Sequence, residues 1–370
     1  MKKNKLFFLA AMCTLTSLSF AKESLETPNK VETTEIEVVE IIPAKETFKL
    51  SGEIEQQLEY RGNPAGTPKD SRSANFRFRP VQGKLKLSEE LSMDFRARLQ
   101  TRAESGQSKN DKSDMRLRWY YDHGNFMDSG VKLISRLRLE KDSPNKGTWF
   151  GDTDIDSPGI ADTEYKLNYV SDIRVMADLK SLMPSMISKF QIGPAYRYTW
   201  NSDVSGLYGN GIGFDLETTL NLPWKFKLDT NVYGTQWYFG HDIASQKGVS
   251  TTKDNAFVVS YEVLLKNNWD LYKFNNNKTK LNFGIEYGLD PAQNSDTKIF
   301  KTTSARNKKP TDGYYYLKAR NILGLSHKYT DATTMYINFV EEYGNRKTAA
   351  NEARDWSWAP EVIVGWVTKF

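Results

Sequence analysis

Long apolar segments are absent from most of this 370-residue chain, and cysteine and histidine are scarce. Outside the amino-terminus, no apolar run approaches the ~18 residues that a helical membrane span requires. The single cysteine, Cys13, excludes a disulfide framework, and the three histidines show no metal-ligand spacing. No glycine motif of the kind that cradles a phosphate occurs. These absences exclude helical membrane proteins and disulfide-stabilised domains, and they predict no metal and no cofactor.

The first residues have the pattern of a secretory signal peptide. Lysines open the chain, an apolar stretch runs from Leu6 to Leu18, and small residues occupy the cleavage positions in Ser19-Phe20-Ala21. We expect cleavage after Ala21, which removes Cys13 and three lysines. The remaining 51 − 3 = 48 basic residues nearly balance the 46 acidic ones. This balance argues against a nucleic-acid partner.

Residues 22–45 differ from the rest of the chain. They are rich in Glu and contain no aromatic residue. We interpret this segment as a periplasmic tail; the alternative is an additional strand through Ile36 and Ile41. The predicted domains are therefore a signal peptide over 1–21, a tail over 22–45 and a β-domain over 46–370.

An alternation with a period of two begins near Thr47 and recurs to the end of the chain. In the first segment, Leu58 and Tyr60 alternate with Glu59 and Arg61, and no helix would separate them in this way. In the final segment, 356–370, tryptophans and valines share one face with the terminal Phe370, while Glu361 and Lys369 lie on the other. Aromatic residues near both ends of an apolar face are typical of transmembrane barrels. The sequence predicts an all-β, antiparallel, up-and-down β-barrel in the outer membrane.

The number of strands follows from counting the alternating segments. Short turns such as Leu222-Pro223-Trp224 alternate with long loops such as 291–313, and a change of phase at Pro80 predicts a β-bulge. Fifteen candidates result, but bacterial single-chain barrels have even strand numbers. The alternation is weakest between 161 and 188, so we expect 14 strands, with 16 as the alternative. The candidate strands are 47–61, 74–87, 91–103, 115–122, 131–141, 163–170, 173–180, 189–200, 212–222, 224–237, 256–266, 280–290, 314–327, 334–343 and 356–370.

Arginines are concentrated on the inward face of candidate strands two to five. A guanidinium group keeps its charge, so such a wall must contact water or acidic groups. The third long loop, 142–162, offers acids at Asp152, Asp154 and Asp156, and a loop that folds inward would place them opposite the arginines as a constriction. The alternative is a solvated network in which the arginines pair with Asp94, Glu104, Asp122 and Glu140. The predicted pore-lining arginines are Arg77, Arg79, Arg96, Arg98, Arg102, Arg116, Arg118, Arg136 and Arg138.

Catalytic groupings are weak in this sequence. His241-Asp242 with Ser245 is the local Ser/His/Asp grouping, and it falls in a loop; His123 and His327 stand beside turns. We therefore expect that the chain is not an enzyme. A second hypothesis concerns inward aromatic residues, which could line a track in a substrate-specific channel: Tyr233, Trp237, Tyr314 and Tyr316.

The chain resembles the fusobacterial FomA-type outer-membrane porins. The resemblance rests on Ala-Lys-Glu at 21–23, the segment EIEVVEII at 35–42, the strands rich in tyrosine and arginine, and the terminal Phe370. It implies a homotrimeric, passive diffusion channel for small hydrophilic solutes and ions, whose exposed loops also serve in adhesion. The alternatives are an adhesin on a closed barrel, an outer-membrane hydrolase and a substrate-specific channel.

Overall fold

The computed structural model describes residues 50–62, 74–102, 112–143, 168–201, 208–240, 254–296, 300–301, 310–311, 313–348 and 356–370. The chain divides into two units after Thr47, and all of the described residues belong to the second unit. The signal peptide and tail predicted for 1–45 therefore lie outside the described part and stay predictions.

Fourteen strands close into a single antiparallel barrel, in which each strand pairs with its neighbours in the chain and the last barrel strand pairs with the first. Two further short strands form a separate hairpin. The barrel strands are β1 (Ser51–Arg61), β2 (Asn75–Lys86), β3 (Leu91–Arg102), β4 (Lys112–Asn125), β5 (Lys132–Ser143), β6 (Asn168–Asp178), β7 (Ile187–Asn201), β8 (Tyr208–Asn221), β9 (Lys227–Phe239), β10 (Asn255–Phe274), β11 (Thr279–Ser295), β14 (Gly313–Lys328), β15 (Thr333–Thr348) and β16 (Ser357–Lys369), and the hairpin is β12 (Phe300–Lys301) with β13 (Pro310–Thr311).

The predicted number of 14 strands is confirmed. The two weak candidates at 163–170 and 173–180 are replaced by one strand, β6, because pairing with β5 continues without interruption across residues 168–178 and β7 pairs with both ends of the same strand. The residues between the two candidates thus belong to the ladder and not to a turn.

The predicted bulge in β2 is also confirmed. Phe78 pairs with Leu99 and Val81 with Ala97, so β2 advances by three residues while β3 advances by two. The same extra residue appears against β1. Because successive side chains alternate between the two faces of a sheet, one extra residue exchanges the faces beyond it. This exchange returns Val81 and Leu85 to the exterior.

The two ends of the barrel differ in their connections. At the end that holds Phe370, connections run over 87–90, 126–131, 179–186, 222–226, 275–278 and 329–332, whereas the opposite end includes the longer segments 144–167, 240–254 and 296–312. The predicted turn at Leu222-Pro223-Trp224 falls within the connection 222–226, where Trp224 has a φ of 57°. Backbone hydrogen bonds between Gly52 and Phe370, of 3.0 and 3.1 Å, close the barrel at its seam.

The exterior of the barrel is apolar and the interior is charged. Leu58 is 48% exposed on the outside, whereas the adjacent Glu59 is 3% exposed on the inside. Trp358 and Trp366 of β16, and Phe370 directly after it, are exposed on the face that the sequence assigned to lipid. In the described residues no helix has the length and apolar character for crossing a membrane. A closed barrel with this exterior is an outer-membrane protein, since closure satisfies every edge hydrogen bond in the lipid phase.

Candidate functional site in the barrel lumen

The arginine wall predicted from the sequence exists on the inner face of β2 to β5. Facing pairs in the ladders include Arg96 with Arg116 and Arg118 with Arg138. Like charges directly opposite each other in a sheet are destabilising unless opposite charges intervene. Arg102 ends β3, and its side chain lies outside the described part of the chain, which covers the side chains of Arg77, Arg79, Arg96, Arg98, Arg116, Arg118, Arg136 and Arg138.

Carboxylates on the same wall supply the intervening charge. Glu59 lies 3.0 Å from Arg77 and 3.3 Å from Arg79. Asp114 lies 3.0 Å from Arg96 and also contacts Arg98. Each of these acids therefore serves two arginines on the neighbouring strand.

Asp94 and Glu140 complete this pairing. Asp94 lies 3.9 Å from Arg116 and 4.0 Å from Arg118, and accepts a 2.7 Å hydrogen bond from the Tyr120 hydroxyl. Glu140 accepts a 2.8 Å hydrogen bond from Nε of Arg138. Asp94 and Glu140 are two of the four acids that the solvated-network alternative paired with the wall arginines, and the structure shows both acids in contact with arginines. Asp122 instead contacts Lys132 at 3.6 Å, because both side chains lie near the short-turn end.

A buried ion cluster, which joins Arg136 of β5 to residues of β6 to β8, extends the wall beyond the predicted residues. Asp172 is 0% exposed and lies 2.6 Å from Arg136, 2.9 Å from Arg174 and 3.3 Å from Arg197. Asp215, also fully buried, lies 2.7 Å from Arg197 and 2.8 Å from Arg174. The alternation within 173–180 and 189–200 assigns Arg174 and Arg197 to the inner face, but the predicted pore-lining set covers only candidate strands two to five.

A second charged cluster lies on the strands beside the seam. Arg320 contacts Glu361 at 3.0 Å and Glu342 at 3.5 Å, and Arg61 contacts Glu361 at 3.2 Å. Lys318 contacts Glu286 at 2.6 Å. The inner face is thus charged around most of the barrel, with arginines in excess from β2 to β7.

The predicted acids of the third loop, Asp152, Asp154 and Asp156, lie outside the described residues, as does Glu104. The constriction that would oppose these acids to the arginine wall stays a prediction. The described acids show that many of the wall arginines have partners on the wall itself.

Two of the inward aromatic residues, Trp237 and Tyr316, are packed into the wall. Trp237 is 1% exposed and stacks on Phe239 with ring centroids 6.2 Å apart. Tyr233 lies under Arg174, whose guanidinium carbon is 5.2 Å from the ring centroid, and Tyr316 donates a hydrogen bond to Glu342. The side chain of Tyr314 lies outside the described part. Buried rings offer little surface to a passing solute, so the track hypothesis gains no support from Trp237.

Each of the two histidines whose side chains are described contacts one hydroxyl group. His123 contacts the hydroxyl of Ser135 at 2.7 Å, and His327 contacts that of Thr279 at 2.8 Å. His241 lies outside the described residues. Within the described ranges, no three His, Cys, Asp or Glu side chains are grouped closely enough to hold a metal ion.

No protein family and no curated protein sequence matches this chain. Among solved structures, the trimer form of OmpT, an outer membrane protein of Vibrio cholerae, is 9% identical with a TM-score of 0.32, covering 88% of this chain and 99% of that one. An anion-selective porin from Comamonas acidovorans is 14% identical with a TM-score of 0.32, covering 88% and 99%. CdiB from Acinetobacter baumannii is 8% identical with a TM-score of 0.42, covering 85% and 60%. Similarity at this level concerns the barrel fold alone.

Proposed function

We propose that this chain is an outer-membrane porin, a passive diffusion channel for small hydrophilic solutes and ions. The observation that carries the proposal is the partial exposure of the arginine wall: Arg79 and Arg118 keep 20% and 21% of their side-chain surface accessible inside a closed barrel. A guanidinium group that reaches water inside the barrel requires a hydrated interior. In a barrel filled by side chains, Arg79 and Arg118 would be as completely buried as Arg197, whose side chain is 1% exposed.

The charge on the inner face supports selectivity by electrostatics. Arginines outnumber the described acids on β2 to β7, so the lumen beside this wall carries a positive potential. Rings of charged side chains set the ion preference of aqueous pores. We expect a channel that favours small anions over cations of equal size.

The proposal includes a homotrimer and excludes a catalytic step. The trimer rests on the resemblance to FomA-type porins. The contact of His123 with Ser135 is a two-residue contact on the exterior, and hydrolysis requires a third group that orients the histidine. We assign this contact to the stability of the barrel surface. The loops at the end opposite Phe370 are the candidates for adhesion to other cells.

Single-channel recording tests the porin proposal. The mature protein, refolded and inserted into a planar bilayer, should give ohmic conductance steps that close in groups of three. Salts with a bulky cation or a bulky anion should then show that the anion carries more of the current. Silence from protein that migrates as folded on a semi-native gel would overturn the pore and favour the adhesin.

A further inference from the structure

Glu341 of β15 places a charged side chain on the apolar exterior of the barrel. It alternates with Phe339 and Tyr343 on the outer face of the strand, and it is exposed. Phe339 is 52% exposed, and the ring of Tyr343 stacks on Trp358 with the centroids 4.4 Å apart. Within the described part of the chain, no basic side chain forms an ion pair with Glu341. The outer surface of the barrel therefore carries an unpaired carboxylate.

The depth of Glu341 in the membrane follows from the aromatic residues of β15 and β16. Near the short turns Met335 pairs with Trp366, and toward the opposite end Tyr343 pairs with Trp358. Tryptophan and tyrosine on a barrel exterior mark the two headgroup levels. Glu341 lies between these levels, one outward residue nearer the short turns than Tyr343. A charged group beside hydrocarbon is costly, and an ionisable residue at such a place is expected to have a partner.

The exterior neighbours of Glu341 are polar as well. Asn321 of β14 pairs with Glu341 in the ladder, and the Tyr287 hydroxyl of β11 donates a 2.7 Å hydrogen bond to Oδ1 of Asn321. Tyr287, Asn321 and Glu341 thus form a polar row across three adjacent strands. None of them supplies a positive charge. A polar row of this kind suits contact with another protein better than contact with lipid chains.

Lys141 of β5 carries the opposite charge on another part of the exterior. It is exposed and pairs with Met115 and Tyr169, which share the outer face. Met115 is 57% exposed, and Tyr169 stacks on Trp200 with ring centroids 5.0 Å apart. Among the described residues, no acidic side chain forms an ion pair with Lys141. The exterior thus holds one free carboxylate and one free ammonium group beside aromatic residues of the same headgroup level.

The two charges stand at a similar height but far apart around the barrel. Glu341 is eight residues from Thr333, the first residue of β15, and Lys141 is nine residues from Lys132, the first residue of β5. Both strands begin at the short-turn end. Five strands separate β5 from β15 on one side and seven on the other, so the two charges cannot meet within one barrel. Neighbouring copies insert in the same orientation, which brings the charges level with each other.

We propose that Glu341 of one copy forms an ion pair with Lys141 of a second copy in the plane of the membrane. Complementary charge fixes the partner and the relative height of the two barrels. The contact joins different surfaces on nearly opposite sides of the barrel, so it repeats as a row and does not close a ring of three. It is separate from the proposed trimer contact. It does not rest on the proposed pore, since both side chains lie outside the lumen.

Thiol cross-linking in intact membranes tests this contact. The reporter variant L139C/F339C carries cysteines at the neighbouring outward residues of β5 and β15 and keeps Lys141 and Glu341. A short bismaleimide linker is used, because an ion pair of two long side chains holds the backbones further apart than a disulfide permits. The linked products should form a ladder of dimers, trimers and longer chains. Neither single cysteine variant should give a ladder, since each contact needs one cysteine of each kind.

Charge reversal in the reporter variant shows whether the ion pair holds the contact. K141E or E341K places like charges opposite each other, and the yield of linked products should fall about tenfold or more. The swap K141E/E341K restores opposite charges, and the yield should return to that of the reporter variant. Every variant should keep the mobility shift of folded protein on a semi-native gel and the conductance of wild-type protein.

The matched control for crowding in the membrane is F78C/F214C. Phe78 of β2 and Phe214 of β8 are also exposed outward residues on strands with five others between them, at a similar distance from the short turns. A ladder of equal yield from this control would overturn the contact, as would a swap that fails to restore the yield. A folded reporter variant without a ladder would leave Glu341 and Lys141 facing lipid headgroups and would also overturn it.

Discussion

Asp172 is a single, fully buried carboxylate that contacts three guanidinium groups. It is 0% exposed, and Arg136, Arg174 and Arg197 all lie within 3.3 Å of it. Buried ions are tolerated where each finds opposite charge and hydrogen bonds, and the loss of one partner leaves the others uncompensated. Asp172 therefore holds together the part of the wall that the solvent does not reach.

We expect Asp172→Asn to lower the free energy of unfolding by about 3–5 kcal/mol, the usual cost of breaking a buried ion pair. Guanidinium unfolding of protein in lipid vesicles, followed by tryptophan fluorescence, measures this change. The control is Asp331→Asn, which removes a fully exposed carboxylate paired with Lys328 in a turn. Its unfolding midpoint should not move, and equal losses in the two variants would contradict the assignment.

Two glycines show how closely neighbouring strands approach. A Cβ atom at Gly193 would lie 1.9 Å from the carbonyl oxygen of Val175, a backbone atom that cannot move aside. At Gly234 the nearest atom to such a Cβ would lie 3.6 Å away, in the side chain of Phe257. Gly193 is thus required by the approach of β6 and β7, and Gly234 is not.

Gly193→Ala should therefore destabilise the barrel by about 1–3 kcal/mol or more, the cost of overpacking. Gly234→Ala, on a strand of the same sheet, should change stability by less than about 0.5 kcal/mol. Parallel unfolding titrations in vesicles compare the two. A larger loss at Gly234 would show that the register of β6 and β7 differs from the one described.

The bulge in β2 keeps the apolar residues before and after it on the same, exterior face of the barrel. Deleting Pro80 would remove the extra residue and the bulge together, so Val81 and Leu85 would stay on the exterior and Lys84 would stay in the lumen. We therefore expect the deletion variant to keep the mobility shift of folded protein on a semi-native gel.

Pro80→Ala is the matched variant, because it keeps the residue count and hence the faces of β2. It should fold and show the normal mobility shift. A deletion variant that lost the mobility shift while Pro80→Ala kept it would mean that the bulge does more than absorb one extra residue.

At the scale of the whole molecule, the charges of the inner wall act together on a passing ion. Arg96, Arg98 and Arg116 share Asp94, Asp114 and Glu140, so neutralising the three arginines leaves the three acids in the lumen. The triple variant R96Q/R98Q/R116Q should shift ion selectivity toward cations. Reversal potentials in a salt gradient measure the shift.

The control for selectivity removes three lumen lysines near the short-turn end, Lys84, Lys132 and Lys266. Its shift toward cations should be smaller, since Lys84 and Lys132 lie closer to the short-turn end than Arg96, Arg98 and Arg116, and Lys266 lies on β10. A shift of equal size would show that only total charge matters, and no shift in the arginine variant would remove the wall from the ion pathway.

The faces and the number of strands could be predicted because they depend on local geometry. The pleat sends successive side chains to opposite faces, so Leu58 and Glu59 were separated correctly, and the phase change at Pro80 predicted the bulge. The two candidates in 163–180 were wrong as separate strands, because alternation alone does not show where one strand ends when its neighbours continue to pair with it.

The sequence alone determined which side chains face inward, the apolar exterior and the 14 strands, because alternation with a period of two is a local property of each strand. The inward residues include Arg96, Arg98, Arg116, Arg118 and the other described wall arginines. The partners of those arginines were decided by the tertiary structure. Asp172 meets Arg197, and Asp215 meets Arg174, only because strand register and closure bring them together. Register depends on the turns between strands and on the stagger that closure imposes, and the alternation within one strand does not specify either of them.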